Sequence, residues 1–459
     1  MREGFLALVL AAGEGTRFKS KKIKVLHTLL GKSMLDYVVR CVLKLKPEKV
    51  FVVVGYQKKE VMAEAISDRV GFVVQRSQRG TAHAVLSAKG VLAKENKKDL
   101  LVINADLPLL RPQTLRPFLT FHLKHGNALT FLSAELENPT GFGRILRSGK
   151  KIERIVEERD ASPSERQIKE INAGVYLFRI EDLLLTLPKV STRNKKGEYY
   201  LTDMIEILIN QGKRVGAYKT FHPEEIVGIN DRYELAKAAE ILRNRKIKSL
   251  TDKGVTVYDP STTWIDTDVR VGRDTVIYPF VYLEGKTVIG QDCRLYPFVH
   301  IIDSKIGDRV KILSSTMIEK STIQAEAQVG PFSRLRPKSI IREGARIGNF
   351  VEMKNTVFGE KSKAGHLSYL GDCTVEENVN IGAGTITCNY DGQKKHRTII
   401  RKGAFIGSGA ELVAPVEIGE NAYVGAGSTI TKNVSPEALA VSRGKQIEKS
   451  GWSKRKRKK

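Results

Sequence analysis

A glycine-rich stretch near the start of the chain combines residue types that suit phosphate chemistry. Leu10–Arg17 reads LAAGEGTR and ends a short apolar run. Glycines let the backbone approach a ligand closely, and the exposed N–H groups of such a loop suit phosphate oxygens. Arg17 and Lys24 add a planar guanidinium and a compact ammonium, which can neutralise the leaving oxygens of a triphosphate. The stretch predicts a triphosphate site, although glycines at this spacing also occur in plain tight turns.

A second set of reactive side chains lies late in the chain. His366 stands in Lys363–Asp372 (KAGHLSYLGD), and Asn380–Gly392 (NIGAGTITCNYDG) follows. A neutral imidazole near pH 7 can take the proton that an amine loses when it attacks a thioester. Three cations elsewhere in this half could hold a phosphate on the amine-bearing acceptor: Arg336, Lys354 and Lys395. We interpret His366 as the general base of an acyl transfer; the alternative is a structural histidine.

The first set needs a sheet to position it. Three apolar runs have the pattern of buried parallel strands: Leu6–Leu10, Val50–Val54 and Leu100–Ile103. Between them, Met34–Leu45 and Ala82–Leu92 have the apolar spacing of helices. This alternation predicts a Rossmann-like α/β domain, with a parallel sheet covered by helices on both faces.

The second half of the chain repeats with a period of six residues. Aliphatic residues recur at that interval, with one-residue slips, from Val271 to Ile347 and again from Ile400 to Ile430. One short strand and one corner account for such a period, and three of these units close a triangular coil. Strands of a sandwich usually lie about 8–12 residues apart and lack one fixed repeat. We therefore predict a parallel β-helix.

The repeat also predicts where this domain departs from regularity. The period breaks between Phe350 and Ile399, where we expect a loop that reaches out of the coil. Stacked coils offer few places to build a pocket. We therefore expect sites where neighbouring copies meet, and hence an oligomer.

These patterns divide the chain into three parts. We assign residues 1–230 to the first domain, 231–250 to a helical linker, and 251–459 to the second domain with a basic C-terminal tail. The linker (DRYELAKAAEILRNRKIKSL) is rich in strong helix formers, begins with an N-cap residue type and lacks Gly and Pro.

The composition is that of a globular protein with anionic partners. Of the 459 residues, 41% are apolar, and the formal net charge is +26. Nucleic acid, an anionic surface or anionic small substrates would each suit that charge. Part of the excess lies in the tail Lys454–Lys459, and aromatic residues for base stacking are not interleaved with the basic ones. We expect small anionic substrates and no specific nucleic acid.

Location and redox state follow from two simpler features. No apolar run approaches the length of a membrane span, and Phe5–Ala12 is too short for a signal peptide. We expect a cytoplasmic protein that does not contact a membrane. The four cysteines form no C-x-x-C pair, and we expect free, mostly buried thiols: Cys41, Cys293, Cys373 and Cys388.

The motifs of the first half occur in a recognisable order. Leu10–Arg17 is followed by Ser20, by Lys24–His27 (KVLH) and by Gly31-Lys32. This series resembles the sugar-nucleotide pyrophosphorylases, and the KVLH form is similar to their UDP-N-acetylglucosamine branch. The resemblance implies catalytic roles for Arg17 and Lys24. It implies nucleotide contacts at Leu10, Ala11, Gly13, Gln75, Gly80 and Thr81, and sugar contacts at Gly143, Glu157 and Asn172.

The same resemblance implies a magnesium site. Asp106 and Asn230 match the family's metal ligands, and Mg²⁺ is commonly held by one or two protein oxygens together with phosphates and waters. Two residues depart from the family pattern. Ile23 stands where a Pro is usual before the lysine, and Ala105 stands where a Gly often precedes the aspartate. Ile23 puts the geometry of the loop in question, and Ala105 puts the position of the backbone next to the nucleotide in question.

The second half carries its own motifs. Arg334–Pro337 (RLRP), Gly348–Lys354 (GNFVEMK), KAGHLSYLGD and NIGAGTITCNYDG resemble the hexapeptide acyltransferases, and in particular the glucosamine-1-phosphate N-acetyltransferases. The resemblance implies a left-handed β-helix, a homotrimer and His366 as base. It implies that the amino sugar phosphate is held by Arg336, Lys354, Tyr369 and Asn380. It implies that the acetyl-CoA side of the site is formed by Asn389, Tyr390, Lys395, Ser408, Ala426 and Arg443.

From Leu6 to Trp452 the chain resembles bifunctional enzymes that make UDP-N-acetylglucosamine. Such enzymes transfer acetyl from acetyl-CoA to glucosamine 1-phosphate, and then uridylyl from UTP, with release of pyrophosphate and with Mg²⁺ as cofactor. Two alternatives stay open. One is a related enzyme with a different sugar phosphate or acyl donor. The other is a non-catalytic scaffold associated with nucleic acid, against which the intact set of reactive residues argues.

Overall fold

The structure, a computed structural model, describes residues 4–64, 67–95 and 98–456. The chain forms two compact units, Met1–Leu242 and Arg243–Lys459, and the division falls inside the helix Arg232–Thr251. That boundary lies within the predicted linker, 231–250. Of the predicted basic tail, residues 454–456 belong to a short helix, Trp452–Lys456, whereas Arg457, Lys458 and Lys459 lie outside the described residues.

The first unit is built on a nine-stranded mixed sheet. Its strands are β1 Leu6–Leu10, β2 Lys49–Val54, β3 Val70–Val74, β4 Asp99–Asn104, β5 Leu129–Glu135, β6 Arg144–Ser148, β7 Lys151–Val156, β8 Glu170–Arg179 and β9 Val215–Lys219. The order is β9-β5-β8-β4-β1-β2-β3, and β6 pairs with β7 and β8. The three predicted strands are thus β1, β2 and β4, side by side and parallel.

The sheet is not parallel throughout, contrary to the prediction. β8 runs antiparallel to β4 and to β5, with Tyr176 opposite Val102 and Phe131. A parallel partner needs a crossover of a dozen or more residues, usually a helix. β8 instead follows the β6–β7 hairpin through residues 157–169, which contain a single 3-10 turn and no α-helix. The apolar pattern of a buried strand is the same in either direction, so the sequence does not reveal this reversal.

Helices cover both faces of the sheet. They are α1 Met34–Leu43, α2 Lys58–Ala63, α3 Thr81–Ser87, α4 Lys89–Leu92, α5 Pro112–His125, α6 Ile180–Thr186 and α7 Asp203–Asn210, and α8 Arg232–Thr251 follows them along the chain. Short 3-10 helices lie at Thr16–Phe18, Lys24–Leu26, Ala93–Glu95, Glu165–Gln167, Leu187–Lys189 and Pro223–Glu225, and a small hairpin joins Thr28–Leu29 to Lys32–Ser33. In β1, Ala7 and Val9 face one core while Leu6 and Leu8 face the other. The first four residues of β1 are therefore buried and Leu10 is partly buried, which is why β1 reads as a continuous apolar run.

The second unit is a left-handed parallel β-helix with three sheets. The first contains Thr256–Val257, Val276–Ile277, Arg294–Leu295, Lys311–Ile312, Gln328–Val329, Arg346–Asn349, Lys363–His366, Asn380–Ile381, Phe405–Ile406, Tyr423–Val424 and Leu439–Ala440. The second contains Trp264–Ile265, Tyr282–Glu284, His300–Ile302, Met317–Glu319, Arg334–Leu335, Glu352–Lys354, Tyr369–Gly371, Ile386–Cys388, Glu411–Val413 and Thr429–Ile430. The third contains Arg270–Val271, Val288–Ile289, Lys305–Ile306, Thr322–Ile323, Ile340–Ile341, Val357–Phe358, Cys373–Val375, Thr398–Ile400 and Val416–Ile418.

The period of six corresponds to the inward column of these sheets. Ile277, Leu295 and Ile312 are register partners on successive coils, and all three are fully buried. Stacking continues along the unit, so that one apolar core runs from Leu250 to Val434.

The break in the period is shorter than the sequence suggested. Coil strands continue past Phe350 as far as Ile386–Cys388, and the interruption lies between Cys388 and Thr398. In this stretch Met, Phe, Ala, Leu and Thr replace the usual Ile at inward positions. Thr387 is buried, and its hydroxyl both donates to the Gly371 carbonyl at 3.1 Å and accepts from the Gly371 N–H at 2.8 Å. A polar inward residue therefore breaks the apolar pattern without breaking the coil.

The cysteines agree with the expectation of free, mostly buried thiols. All four cysteines are free, and Cys41, Cys293 and Cys373 are buried. Burial raises the pKa of the Cys41 thiol and of the Cys373 thiol to about 12. In the part of the chain that the structure describes, no helix has both the length and the apolar character that crossing a bilayer requires.

Candidate active sites

The glycine-rich loop leaves β1 and turns sharply over Lys24. Gly15 has φ of +67°, and a Cβ on it would lie 2.4 Å from the Cβ of Lys24. A side chain at this position would therefore collide with the lysine as well as strain the backbone. Gly15 is followed by the 3-10 helix Thr16–Phe18, which carries Arg17. The loop thus brings the two predicted catalytic cations to one place.

These cations meet the predicted metal ligands. The ammonium of Lys24 donates to Asp106 Oδ2 at 2.7 Å and to Asn230 Oδ1 at 3.2 Å. Arg17 Nη2 donates to the same Asn230 oxygen at 2.8 Å. Asp106 follows the carboxyl end of β4, and Asn230 lies two residues before α8. Residues more than 200 positions apart in sequence therefore form one cluster of two cations and two oxygen ligands.

A cleft of about 740 Å³ opens over this cluster. Its wall includes all the predicted nucleotide-contacting residues, namely Leu10, Ala11, Gly13, Gln75, Gly80 and Thr81. Gly80 and Thr81 begin α3, and the segment around Tyr199 fastens them. The Tyr199 N–H donates to the Arg79 carbonyl at 2.8 Å, and the Tyr199 carbonyl accepts from the Ala82 N–H at 2.9 Å. The position of this wall therefore depends on two segments that are distant in sequence, one around Gly80 and one around Tyr199.

The predicted sugar contacts lie together, and one of them, Glu157, lines the cleft. The Oε1 of Glu157 accepts from the Thr202 hydroxyl at 3.1 Å. Gly143 has its carbonyl 2.9 Å from the Asn172 N–H, and a Cβ on Gly143 would lie 3.6 Å from Glu157. Burial raises the pKa of the Glu157 carboxyl. The structure thus brings Gly143, Glu157 and Asn172 into one group.

Several residues in or near the cleft were not singled out from the sequence. Asn172 Nδ2 donates to the hydroxyl of the buried Tyr176 at 2.6 Å. Burial raises the pKa of the Asp203 carboxyl to about 6, and repulsion by Glu157 adds to the effect. Further residues line the cleft: Gln78, Asn104, Gly141, Glu158, Arg159, Lys196, Glu198 and Tyr200. These residues have no characteristic spacing in the sequence, so only the fold shows that they lie close together.

The second unit gathers the predicted phosphate-binding cations. Arg336 Nη1 donates to Glu352 Oε1 at 2.9 Å, and Glu352 is the register partner of Tyr369 on the next coil. Lys395 lies beside Lys354 and, together with Arg336, lowers the pKa of the Lys354 ammonium. Like charges held this close repel one another, and a bound anion would relieve the repulsion. This is the geometry expected of a phosphate site.

An acidic residue, Asp372, lies next to this cluster and binds two neighbouring amides. Asp372 Oδ1 accepts from Asn355 Nδ2 at 2.6 Å, and Asp372 Oδ2 accepts from Asn389 Nδ2 at 2.6 Å. Asp372 ends the KAGHLSYLGD motif, but the sequence analysis gave it no role. Asp372 lies between two amides on neighbouring coils and thereby fixes the side chain of Asn389, a predicted site residue that is buried.

The excursion between Cys388 and Thr398 carries Tyr390 and Lys395. These two residues pair as an antiparallel bridge. Asp391 shapes the turn between them, because its Oδ1 accepts from the N–H groups of Gln393 at 2.8 Å and Lys394 at 2.6 Å. Those bonds and the His396 ring hold the pKa of the Asp391 carboxyl well below its usual range. The turn is thus built to present Lys395, and it leaves the Tyr390 side chain 60% exposed.

His366 and two of the predicted acetyl-CoA contacts, Ser408 and Ala426, share one corner of the coil. Successive turns of this corner are linked by backbone bonds from Gly384 to Leu367, from Gly409 to Ala383 and from Gly427 to Ser408. His366, Ser408 and Ala426 therefore occupy equivalent positions, each exposed, and Arg443 Nη1 donates to the Ala426 carbonyl at 2.9 Å. Asn380 lies on the strand that follows that of His366 in the same sheet, with Lys363 and Phe405 as register partners. No described hydrogen bond joins His366 to the cationic cluster.

This fold and these sites define a nucleotidyltransferase joined to a hexapeptide-repeat transferase. The Nucleotidyl transferase family matches residues 6–267, and the family Bacterial transferase hexapeptide (six repeats) matches residues 397–432.

Relatives extend over nearly the whole chain. The bifunctional protein GlmU of Acetivibrio thermocellus is 46% identical over 451 residues, which cover 98% of this chain and 97% of that protein. GlmU of Thermodesulfovibrio yellowstonii is 47% identical, with 98% and 99% covered, and GlmU of a Geobacillus species is 48% identical, with 97% of each covered. The chain belongs to the GlmU family of bifunctional proteins. It is an enzyme with uridyltransferase and acetyltransferase activities in UDP-N-acetylglucosamine synthesis, which confirms the function that the sequence predicted.

Proposed function

We propose that uridylyl transfer takes place in the cleft of the first unit, with Arg17 and Lys24 as its catalytic cations. An oxygen of N-acetylglucosamine 1-phosphate attacks the α-phosphorus of UTP, the bond from that phosphorus to the β-phosphate breaks, and pyrophosphate leaves. The protein has little covalent chemistry to perform, so positioning and neutralisation of charge carry the rate. The cluster of Arg17, Lys24, Asp106 and Asn230 is the observation that supports this assignment most directly.

The nucleotide and the sugar then occupy different parts of the cleft. The base and ribose lie against Gln75, Gly80 and Thr81, and the phosphates lie against the loop containing Leu10, Ala11 and Gly13. Glu157 and Asn172 face the sugar together with Gly143. Carboxylate and amide oxygens accept from sugar hydroxyls, and an amide N–H also donates to them.

We further propose that Asp106 and Asn230 hold Mg²⁺. Both residues offer hard oxygen ligands, which Mg²⁺ prefers. Asp106 Oδ2 and Asn230 Oδ1 already converge on a single ammonium, at 2.7 and 3.2 Å, so two oxygens of the same residues fit one cation. When bound, the ion neutralises phosphate charge alongside Arg17 and Lys24.

In the second unit, we propose that His366 accepts the proton of the attacking amine. The amine nitrogen of glucosamine 1-phosphate bonds to the thioester carbon of acetyl-CoA, the carbon–sulfur bond breaks, and the CoA thiolate takes up a proton. Arg336, Lys354, Tyr369 and Asn380 hold the sugar phosphate. The acetyl-CoA side is assigned to Asn389, Tyr390, Lys395, Ser408, Ala426 and Arg443, and Lys395, which lies beside Lys354, also contacts the sugar phosphate. The shared corner of His366, Ser408 and Ala426 supports a thioester that lies along the coil axis.

We also propose a homotrimer that works in the cytoplasm. On this coil and the coils before it, the corner next to His366 carries bulky exposed residues with positive φ: Phe280, Phe298, Phe332, Phe350 and Leu367. Bulky residues are rare in this backbone region and costly to leave in water. A row of them beside the reactive column supports burial against a second copy. UTP and acetyl-CoA are intracellular metabolites, which supports the location.

The decisive experiment supplies glucosamine 1-phosphate, acetyl-CoA, UTP and Mg²⁺ to the purified protein and follows UDP-N-acetylglucosamine. His366→Ala should make none unless N-acetylglucosamine 1-phosphate is added, and Lys24→Ala should be slowed roughly 10²–10³-fold with either sugar. His300→Ala is the matched control, since His300 is another partly exposed histidine of the β-helix, paired with Glu284.

Asp106→Asn should need more Mg²⁺ for half-maximal rate. Light scattering should give the mass of three chains. Absence of product from the wild type would overturn the substrate assignment.

A further inference from the structure

The side chain of Gln75 has an amide whose two ends face different surroundings. It lines the cleft but is only 4% exposed. Its Nε2 lies 2.9 Å from His83 Nδ1 and 3.4 Å from the carbonyl oxygen of Gly80. Both neighbours belong to the start of α3 or the turn before it. They therefore act on the same end of the amide.

The Gly80 carbonyl decides which end that is. A carbonyl oxygen can only accept a hydrogen bond, so the amide group that faces it must be the NH₂ and not the oxygen. The ring nitrogen of His83, which faces the same group, must then accept as well. In this arrangement His83 Nδ1 is the acceptor, and the ring hydrogen lies on Nε2.

His83 and Gly80 are both held firmly in this role. Gly80 has φ of +103°, and a Cβ on it would lie 2.5 Å from the Tyr199 carbonyl, so the Tyr199 backbone packs directly against it. The His83 ring stacks on that of Tyr199 with centroids 6.4 Å apart, and the Arg79 guanidinium lies over the same tyrosine ring at 5.3 Å. The two acceptors are thus positioned before any ligand arrives.

The group left for a ligand is Oε1 of Gln75. Among the described residues, no donor bonds to it. A carbonyl oxygen in that place can pair only with a donor on the base. Uracil presents N3–H, a donor, where cytosine presents the lone pair of N3, an acceptor. An oxygen fixed in the cleft therefore favours uracil and repels the corresponding edge of cytosine.

We propose that His83 is a positioning residue that sets the pyrimidine selectivity of the uridylyl transfer by fixing the Gln75 amide with its oxygen toward the base. The inference rests on the proposed function of the cleft and extends it to a residue outside the nucleotide contacts. Without the acceptor on His83, the Nε2 group keeps only the 3.4 Å contact to Gly80. The amide can then rotate and offer its NH₂ to cytosine N3.

The test compares His83→Asn with His83→Leu. Asn can place an oxygen near the position of Nδ1, whereas Leu has nearly the same shape and no acceptor. His83→Phe is the second acceptor-free variant, because it keeps a ring against Tyr199 if Leu disturbs folding. For each protein, kcat/KM is measured with UTP and with CTP at saturating N-acetylglucosamine 1-phosphate, and thermal unfolding is recorded.

We expect the ratio of the UTP value to the CTP value to fall roughly tenfold or more in the Leu and Phe variants and to stay near wild type in the Asn variant. An unchanged ratio in folded Leu or Phe variants overturns the inference. So does an equal fall in Asn and Leu, which would indicate a packing role only. If the wild type transfers neither nucleotide, the proposed function of the cleft fails and the inference falls with it.

Discussion

The ammonium of Lys24 and the carboxylate of Asp106 form an ion pair with a separation of 2.7 Å. The lysine belongs to the loop after β1 and the aspartate to the chain after β4, so parallel strands side by side bring them together. The side chains are 12% and 25% exposed, which keeps most solvent away from the pair. One residue proposed for phosphate and one proposed for metal are therefore coupled before any substrate binds.

Replacing Lys24 should affect both ligands at once. Lys24→Met should lower the uridylyl transfer rate by roughly 10²–10³, because a fixed cation is lost at the leaving phosphates. It should also lower the Mg²⁺ concentration needed for half-saturation, since the competing ammonium is gone from Asp106. Pyrophosphate release against Mg²⁺ concentration measures both effects. The matched control is Lys22→Met, an exposed lysine of the same loop. A Lys24→Met enzyme as fast as the control would contradict the role.

The bond from Asn172 to Tyr176 predicts a separate effect on sugar binding. Tyr176→Phe removes the acceptor of Asn172 Nδ2, whose distance to the hydroxyl is 2.6 Å. The freed amide can turn away from the sugar. KM for N-acetylglucosamine 1-phosphate should rise roughly tenfold while KM for UTP stays the same, and the free energy of unfolding should fall by about 1–2 kcal/mol. Tyr56→Phe, on the surface, is the control. Equal rises in both KM values would argue for general loosening instead.

Asp203 predicts a dependence of stability on pH. Burial raises its pKa to about 6, and an unfolded Asp titrates near about 4. Between these values the folded protein holds a proton that the unfolded chain has lost, so stability falls as pH rises through this window. Asp203→Asn abolishes the titration. It should melt roughly 2–4 °C above wild type beyond about pH 6.5, and the difference should vanish below about pH 4.

Melting curves from about pH 4 to about pH 8 test this prediction. Asp68→Asn is the control, because Asp68 is exposed in the same unit. Its effect should not vary through the window. A constant difference between the Asp203 variant and wild type at every pH would show that burial does not set this titration.

Lys395 predicts the location of the acceptor phosphate. Lys395→Met should raise KM for glucosamine 1-phosphate roughly tenfold or more, because it removes one charged partner of the phosphate. It should leave uridylyl transfer from N-acetylglucosamine 1-phosphate unchanged. The neighbouring Lys394→Met is the control, since that side chain is also exposed on the excursion. If Lys395→Met instead raised KM for acetyl-CoA alone, the phosphate would have to lie elsewhere.

The candidate reacting groups could be proposed from the sequence because each one lies in a contiguous motif. Arg17 and Lys24 stand 7 positions apart in a loop that follows a strand, and His366 stands inside KAGHLSYLGD. Their partners could not be found in that way. Asp372, which holds Asn389, and Tyr176, which holds Asn172, have no characteristic spacing to the residues they support. A hydrogen bond between neighbouring coils or within a bulged strand depends on three-dimensional register alone.

The sequence by itself determined the two-part architecture, because apolar periodicity directly reflects which side chains are buried. Strand–helix alternation up to about residue 230 and the six-residue repeat after Val271 are both patterns of that kind. Only the tertiary structure decided the reversed direction of β8, the short excursion at 389–397 and the orientation of Gln75 by His83. The burial pattern of a strand is the same for either strand direction. A polar residue such as Thr387 at an inward site breaks the apolar pattern although the coil continues. A burial pattern also carries no information about which end of an amide points into a cleft.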